Sequence, residues 1–207
     1  MAYDDHGDYD VAATDHAKAL EIEPRNFEFA RSLGLSRFYQ GDFLRAAADL
    51  LVALKLRDNS HATLLRYLAR KRLGEAADSE LEENAVRMPT EVLSYAIVEL
   101  YLGRRSLPEY LNATPRRTNR CHDQFYVGEW HLSGNNTAAA LASLSEAAQG
   151  CPKDSVEYRA AGAELKRLKP QAEARRNPSP KPRDTRGGPR IQPMEGAAFS
   201  DGNPPRQ

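Results

Sequence analysis

A 34-residue repeat near the start of this 207-residue chain limits it to a small group of helical folds. The segment GDYDVAATDHAKALEIEPRN, which begins at Gly7, is matched by GDFLRAAADLLVALKLRDNS, which begins at Gly41. In each copy glycine can end one helix and turn the chain, and the alanines let neighbouring helices approach closely. The matched positions are Gly7 and Gly41, Asp8 and Asp42, Tyr9 and Phe43, Ala12 and Ala46, Ala19 and Ala53, and Leu20 and Leu54. Such a period predicts stacked helical hairpins.

The segment FEFARSLGLSRFYQ, which precedes Gly41, supplies the first helix of one complete hairpin. Its apolar and small residues recur at helical spacing: Phe27, Ala30, Leu33, Gly34 and Phe38. The Gly7 segment has the pattern of a second helix without a first one, so the first repeat is incomplete. We therefore expect that segment to leave an apolar face exposed.

Each copy has a glycine, then an aromatic residue and then two alanines, and Pro24 follows them in the first copy. This pattern, with its period of 34 residues, resembles the tetratricopeptide repeat. The resemblance implies an all-α fold, a right-handed array of antiparallel helical hairpins that forms a solenoid. About four hairpins are expected, because ATLLRYLARKRLG and VLSYAIVELYLG each look like a first helix ending in glycine, followed by a short and degenerate second helix.

The pattern returns after Cys121, where Ala140, Ala147 and Pro152 repeat the spacing of Ala12, Ala19 and Pro24. Gly134 lies one residue farther from the alanine than Gly7 does, so the turn is expected to differ slightly. A final helix is predicted with Asp154 at its start. Its apolar stripe would cover the end of the stack and consists of Tyr158, Ala161, Leu165 and Leu168.

In such an array the first helices of the hairpins line a concave surface that binds a protein or an extended peptide. This predicts an adaptor or assembly scaffold whose groove is both apolar and cationic and takes an acidic or carboxylate-bearing partner. The alternative is that the apolar members are core residues and the arginines are solvated. The predicted partner-binding residues are Glu28, Arg31, Leu35, Phe38, Arg66 and Arg70.

The segment CHDQFYVGEWH gathers metal-ligating residue types but does not predict a metal site by itself. His122 and His131 are nine residues apart, about 180° out of phase on a helix. The sequence also lacks a glycine-rich phosphate loop, a nucleophile elbow and a paired-histidine zinc helix. We therefore predict no metal, no cofactor and no enzymatic activity.

Cys121 and Cys151 lie at the two ends of one predicted hairpin, which antiparallel helices bring together. They could form a disulfide, which would place the protein in an oxidising compartment. The alternative is a pair of reduced, half-buried small residues.

The run from Cys121 to Leu168, with FYVGEWHL, CP and EYRAAGAELKRL, resembles the C-terminal hairpins of bacterial tetratricopeptide lipoproteins of the cell envelope. That resemblance implies a periplasmic adaptor that gathers peptidoglycan hydrolases and a protease. The N-terminus MAYDDHGDYD instead lacks the basic and apolar regions of a signal peptide, which predicts a cytoplasmic protein. The periplasmic alternative requires that an upstream signal has been lost.

The composition divides the chain into a helical repeat domain, residues 1–169, and a Pro/Gly/Arg-rich tail, residues 170–207, that we expect to be disordered. From Lys166 onwards there are 10 basic and 4 acidic residues, although the whole chain is balanced at 29 of each. An alternative function is therefore nucleic-acid association through the basic tail. No apolar run reaches the roughly 18 residues needed for a membrane span.

Overall fold

The computed structural model of the chain describes residues 8–88, 92–113 and 120–176. Regular structure in these ranges is entirely α-helical, and helices adjacent in the chain pack against each other, which confirms the all-α expectation. The helices are α1 (Tyr9–Ile22), α2 (Phe27–Gln40), α3 (Phe43–Leu56), α4 (Ser60–Arg72), α5 (Asp78–Ala85), α6 (Val92–Tyr101), α7 (Leu107–Ala113), α8 (Arg120–Ser133), α9 (Thr137–Gly150) and α10 (Val156–Arg176).

Short polar side chains begin several of these helices. Asn26, Asp42, Asn59 and Asn136 each accept a hydrogen bond from a backbone N–H in the first turn of α2, α3, α4 and α9, respectively. A cap of this kind contributes about 1 kcal/mol, because it pairs a donor that the helix itself leaves unpaired. In α2 and α3 the residue after the cap is Phe27 or Phe43, so the cap and the aromatic residue together mark where the helix begins.

The last helix differs at both ends from the sequence expectation. Its first turn is capped by Ser155, whose hydroxyl oxygen accepts from the Tyr158 N–H at 3.1 Å, and not by Asp154. The helix continues through Pro170 to Arg176, so the predicted domain boundary at residue 170 falls inside α10. Residues 177–207, the rest of the predicted tail, lie outside the described residues.

The turn of the α8–α9 hairpin is made by Asn135 and not by Gly134. Gly41, between α2 and α3, has φ 86°, and Asn135 takes the equivalent left-handed conformation with φ 58°. Asparagine tolerates this conformation better than most side chains, because its short polar group can bond locally. Asn135 is five residues before Ala140, just as Gly41 is five residues before Ala46, so the two turns have the same length although the turn residue differs.

Two glycines allow the closest helix contacts. A Cβ atom on Gly34 would lie 2.7 Å from Leu50 Cγ, and one on Gly128 would lie 2.7 Å from Leu144 Cγ. Both distances are too short for real carbon atoms, so only glycine lets α2 meet α3, and α8 meet α9, at this separation.

Four helices form a closed cycle of contacts that we call the inner ring. In it α2 contacts α4, α4 contacts α8, α8 contacts α10, and α10 returns to α2. The helices α1, α3 and α9 pack on ring helices that adjoin them in the chain. The main apolar core extends from α2 to α10.

A buried ion-pair network reaches all four helices of the inner ring. Nη2 of Arg72 on α4 lies 2.9 Å from Glu129 Oε2 on α8 and 3.2 Å from Glu164 Oε2 on α10. Arg167 on α10 pairs with Glu164 and donates to the carbonyl oxygen of Tyr39 on α2 at 2.6 Å. Both glutamates are fully buried. This network therefore links the four ring helices to each other.

The helices α6 and α7 join this body through tyrosines. The Tyr101 hydroxyl donates to the carbonyl oxygen of Tyr126 at 2.9 Å, and the Tyr110 hydroxyl bonds to the buried carboxylate of Asp123. Burial raises the pKa of Tyr101 well above its usual value, so this hydroxyl stays protonated as a donor.

The exposed apolar face expected on the first helix is small. In α1, Ile22 is 81% exposed, whereas Leu20 packs against the cluster around Phe27. Gln40 of α2 holds the start of α1 by donating to the Tyr9 carbonyl oxygen at 2.9 Å.

Candidate functional site

The apolar members of the predicted groove are core residues. Phe38 is fully buried and Leu35 is 7% exposed, and both belong to the main apolar cluster. This corrects their assignment as partner-binding residues and supports the alternative interpretation of the sequence. The physical reason is that α2 is surrounded by α1, α3, α4 and α10, which leaves these two side chains little or no contact with solvent.

Glu28 and Arg31 take part in ion pairs at the surface of α2. Glu28 binds Arg57, which lies just beyond the end of α3, and Arg31 Nη1 lies 3.8 Å from Glu28 Oε2. Arg31 is largely covered, with 20% of its side chain exposed. Their role in partner binding stays a prediction.

Arg66 and Arg70 bind within the fold. Both pair with Glu80 of α5, and each also donates to a backbone carbonyl oxygen, Arg66 to that of Ala47 and Arg70 to that of Ala76. Burial raises the pKa of Glu80, but the two guanidinium groups lower it by more, so its pKa lies below the usual value. Because both arginines form ion pairs with Glu80, they connect α4 to its neighbours and are not simply solvated.

The predicted cationic and apolar character is found instead on the outer side of α3. Leu44, Ala48, Val52 and Leu56 are all exposed there, at 66% for Leu44, 40% for Val52 and 37% for Leu56. Each follows the previous one by four residues, so the row advances only about 40° per step around the helix. We call it the α3 row.

Two cations flank the α3 row. Arg45 and Lys55 are exposed on the same side of α3, whereas Asp49 is turned inward and binds Arg37 of α2. Arg45 lies 3.3 Å from Asp42 in an exposed pair, which contributes little in water. This helix face thus presents aliphatic groups and positive charge together.

Three helices bring His61, His122 and Glu157 together at one edge of the inner ring. Nε2 of His61 lies 3.1 Å from Glu157 Oε1, and Nε2 of His122 lies 3.4 Å from the same oxygen. One potential ligand atom from each residue lies within 4.8 Å of the others. His61 follows the cap of α4 in a polar stretch, which gives no sequence signal for this contact.

The potential metal-ligating residues of the CHDQFYVGEWH segment make contacts with different partners in the structure. His122 faces α4 and α10, Asp123 binds Tyr110 of α7, and Glu129 joins the ion-pair network. Cys121 is bonded to Cys151, with their Cα atoms 5.0 Å apart, so the structure contains the bridged alternative. His131 lies outside the His61, His122 and Glu157 group.

No known protein-family model matches this chain. Within the described ranges, no helix combines the length and apolarity needed to cross a membrane.

Proposed function

We propose that this chain is a tetratricopeptide-type protein-interaction module that acts as an adaptor or assembly scaffold. Two observations support the repeat assignment. The α2–α3 and α8–α9 hairpins share the glycine-leucine contact, and each turns through a left-handed residue. Repeated hairpins of this kind usually serve as surfaces for other proteins.

The α3 row is the observation that carries the proposal. Surface aliphatic residues are common singly, but four of them in one continuous row on a helix are characteristic of a recognition surface. The first helices of the hairpins contact one another across the inner ring. The partner therefore binds on the outer side of α3, and not on the concave face first expected.

Charge selects the kind of partner. Arg45 and Lys55 favour acidic groups beside the aliphatic contacts. The carboxylate within α3, that of Asp49, is turned inward, and Asp42 before the helix pairs with Arg45. An amphipathic helix that carries leucine-like residues and flanking Asp or Glu fits this surface. The sequence also predicted an acidic partner, although at a different place.

The disulfide supports an oxidising compartment, where such bonds persist. The envelope partners implied by resemblance, peptidoglycan hydrolases and a protease, would be met there. Protein from the native host, denatured without reductant, should then show no free thiol. Two free thiols per chain would remove this support.

Partner binding is tested with a photo-crosslinking amino acid in place of Ala48. The partner identified from the native host is purified, and its dissociation constant is measured with the unmodified chain and with the Leu44→Asp, Val52→Asp double variant. We expect the double variant to weaken binding by about tenfold or more, because it places two carboxylates in the apolar contact.

Val86→Asp is the matched control, because Val86 is 85% exposed but lies outside α3. Its dissociation constant should equal that of the unmodified chain. Equal binding by the double variant would reject the α3 row as the partner site.

A further inference from the structure

The His61, His122 and Glu157 group has the donor set of a zinc site. Two imidazole nitrogens and one carboxylate oxygen are common zinc ligands, and such sites often keep a fourth position for water. Each residue comes from a different helix of the inner ring, α4, α8 and α10. The fold, and not a local sequence motif, brings the three together.

Two of the three distances within the group match tetrahedral coordination. Ligand atoms that are each about 2.0–2.1 Å from a tetrahedral zinc lie roughly 3.3 Å from one another. The two nitrogen-to-oxygen distances here are 3.1 Å and 3.4 Å, and all three ligand atoms lie within 4.8 Å of one another. A metal ion would therefore be accommodated by a turn of the imidazole rings towards it.

An unpartnered polar atom at this position also points to a ligand. Glu157 is 5% exposed, yet its Oε1 atom has no hydrogen-bond partner of good geometry, although both imidazole rings lie close to it. Buried polar atoms are nearly always paired, so an orphaned carboxylate oxygen between two imidazole rings calls for an explanation.

Access and charge are compatible with a bound cation. The His61 side chain is 36% exposed, so an ion or water can reach the group from solvent. The Glu157 carboxylate supplies a negative group beside the N-termini of α4, α8 and α10, whose positive ends would otherwise oppose a cation.

We propose that His61, His122 and Glu157 bind one Zn²⁺ ion, with water in the fourth position. Nitrogen donors favour zinc over magnesium and calcium, which prefer sites made of oxygen alone. The site joins α4, α8 and α10 at a place distinct from the Arg72 network. Zinc therefore stabilises the closed inner ring, because it binds the folded chain and not the unfolded one.

The test uses the full chain, free of any affinity tag, with the disulfide intact so that thiols cannot bind the metal. Metal is removed with a chelator, and Zn²⁺ binding is then measured by competition with a chromophoric chelator. We expect one zinc per chain, with no comparable binding of Mg²⁺ or Ca²⁺. At a hundredfold excess over the dissociation constant, the midpoint of thermal unfolding should rise by about 5–10 °C.

Two substitutions test the ligands. His61→Ala removes the most exposed member, and Glu157→Gln keeps the size and shape of the side chain. Each should weaken zinc binding by about tenfold or more and abolish the thermal shift. Circular dichroism of the metal-free variants establishes that they are folded.

His131→Ala is the matched control, because it removes a histidine of the same helix that lies outside the group. It should bind zinc as the unmodified chain does. The proposal is overturned if the unmodified chain shows no saturable zinc binding, or if Glu157→Gln and His61→Ala bind zinc unchanged. Loss of binding in His131→Ala would also overturn it, since the ligands would then lie elsewhere.

Discussion

The α2–α3 and α8–α9 hairpins share the same close helix contact but are stabilised at their open ends by different interactions. Gly34 meets Leu50 in the first hairpin, and Gly128 meets Leu144 in the second, at the same distance from a Cβ position. Each contact joins residues 16 apart, so the hairpins match with an offset of 94 residues. The close helix contact is thus a property of the repeat and not of one copy.

The open ends of the hairpins differ at equivalent positions. The first hairpin places the Arg57 guanidinium 3.7 Å from the centre of the Phe27 ring. The second has Cys121 and Cys151 at these positions, joined covalently. A weak contact in one copy corresponds to a covalent bond in the other.

The inner sides of the hairpins differ as well. Leu35 of the first hairpin is an apolar core residue, and its equivalent in the second is the buried Glu129. Glu28 of the first is an exposed ion-pair member, whereas its equivalent, His122, belongs to the proposed zinc site. The second hairpin therefore carries buried or largely buried polar side chains at positions where the first has an apolar or an exposed one.

The largest expected loss of stability comes from removing the disulfide of the α8–α9 hairpin. Replacing Cys121 and Cys151 together by serine should lower the free energy of unfolding by roughly 3–4 kcal/mol, because the bond closes a loop with a sequence separation of 30. Urea unfolding of the variant and the oxidised parent measures this. Reductant should destabilise the parent and leave the variant unchanged, and an unaltered midpoint in the variant would contradict the comparison.

The next effect concerns Glu129 and depends on pH. Burial, together with the charge of Glu164, raises its pKa to about 7 in spite of Arg72 and Arg167; Tyr101 also faces it and stays protonated. The unfolded chain releases this proton near pH 4.5 and the folded chain near pH 7. The stability that Glu129 contributes is therefore fully present below pH 4.5 and is lost as the pH rises from there through 7, by about 3 kcal/mol in total.

This pH dependence is isolated by comparison with Glu129→Gln. The unfolding free energies of the two proteins are measured from pH 5 to pH 8. The parent should lose stability relative to the variant as the pH rises. A constant difference over this range would show that Glu129 is ionised throughout.

Smaller effects are expected at the shared glycines. Gly34→Ala and Gly128→Ala should each destabilise the chain by about 1–3 kcal/mol, because the new methyl group collides with leucine. Gly162→Ala in α10 is the control: nothing lies within 4 Å of its Cβ position, so alanine should be neutral or stabilise by up to about 1 kcal/mol. Unequal losses at the two glycines would show that the hairpins are less alike than the distances indicate.

The smallest effect is expected at Arg57. Arg57→Ala removes the contact with Phe27 and should cost about 0.5–1 kcal/mol in urea unfolding. Arg104→Ala, which removes an exposed pair with Glu82, should have nearly no effect. If Arg57→Ala lowered the free energy of unfolding as much as loss of the disulfide does, the Arg57–Phe27 contact and the disulfide would be equally stabilising, which would contradict the comparison.

The sequence predicts local features of this molecule better than long-range ones. Gly41, Asp42 and the alanine spacing indicate the hairpins correctly, because turns, caps and close helix contacts depend on residues near in the chain. The sequence does not reveal that Asn135 replaces Gly134 at the turn, since both residue types suit a left-handed backbone.

The candidate sites depend on contacts between distant segments. Leu35 and Phe38 have a helical spacing that fits a groove or a core equally well, and the helices packed around α2 decide between them. His61 and Glu157 are separated by nearly half of the chain, so no spacing rule connects them. The α3 row is visible in the sequence, but its exposure is not.

The central claim is that a partner binds the outer side of α3 while the inner ring stays closed. Hydrogen–deuterium exchange of the chain, alone and bound to its purified partner, tests this most directly. We predict slower amide exchange in residues 43–56 and no change in residues 27–40 and 60–72. Slower exchange in those ring segments, with residues 43–56 unaffected, would contradict the account.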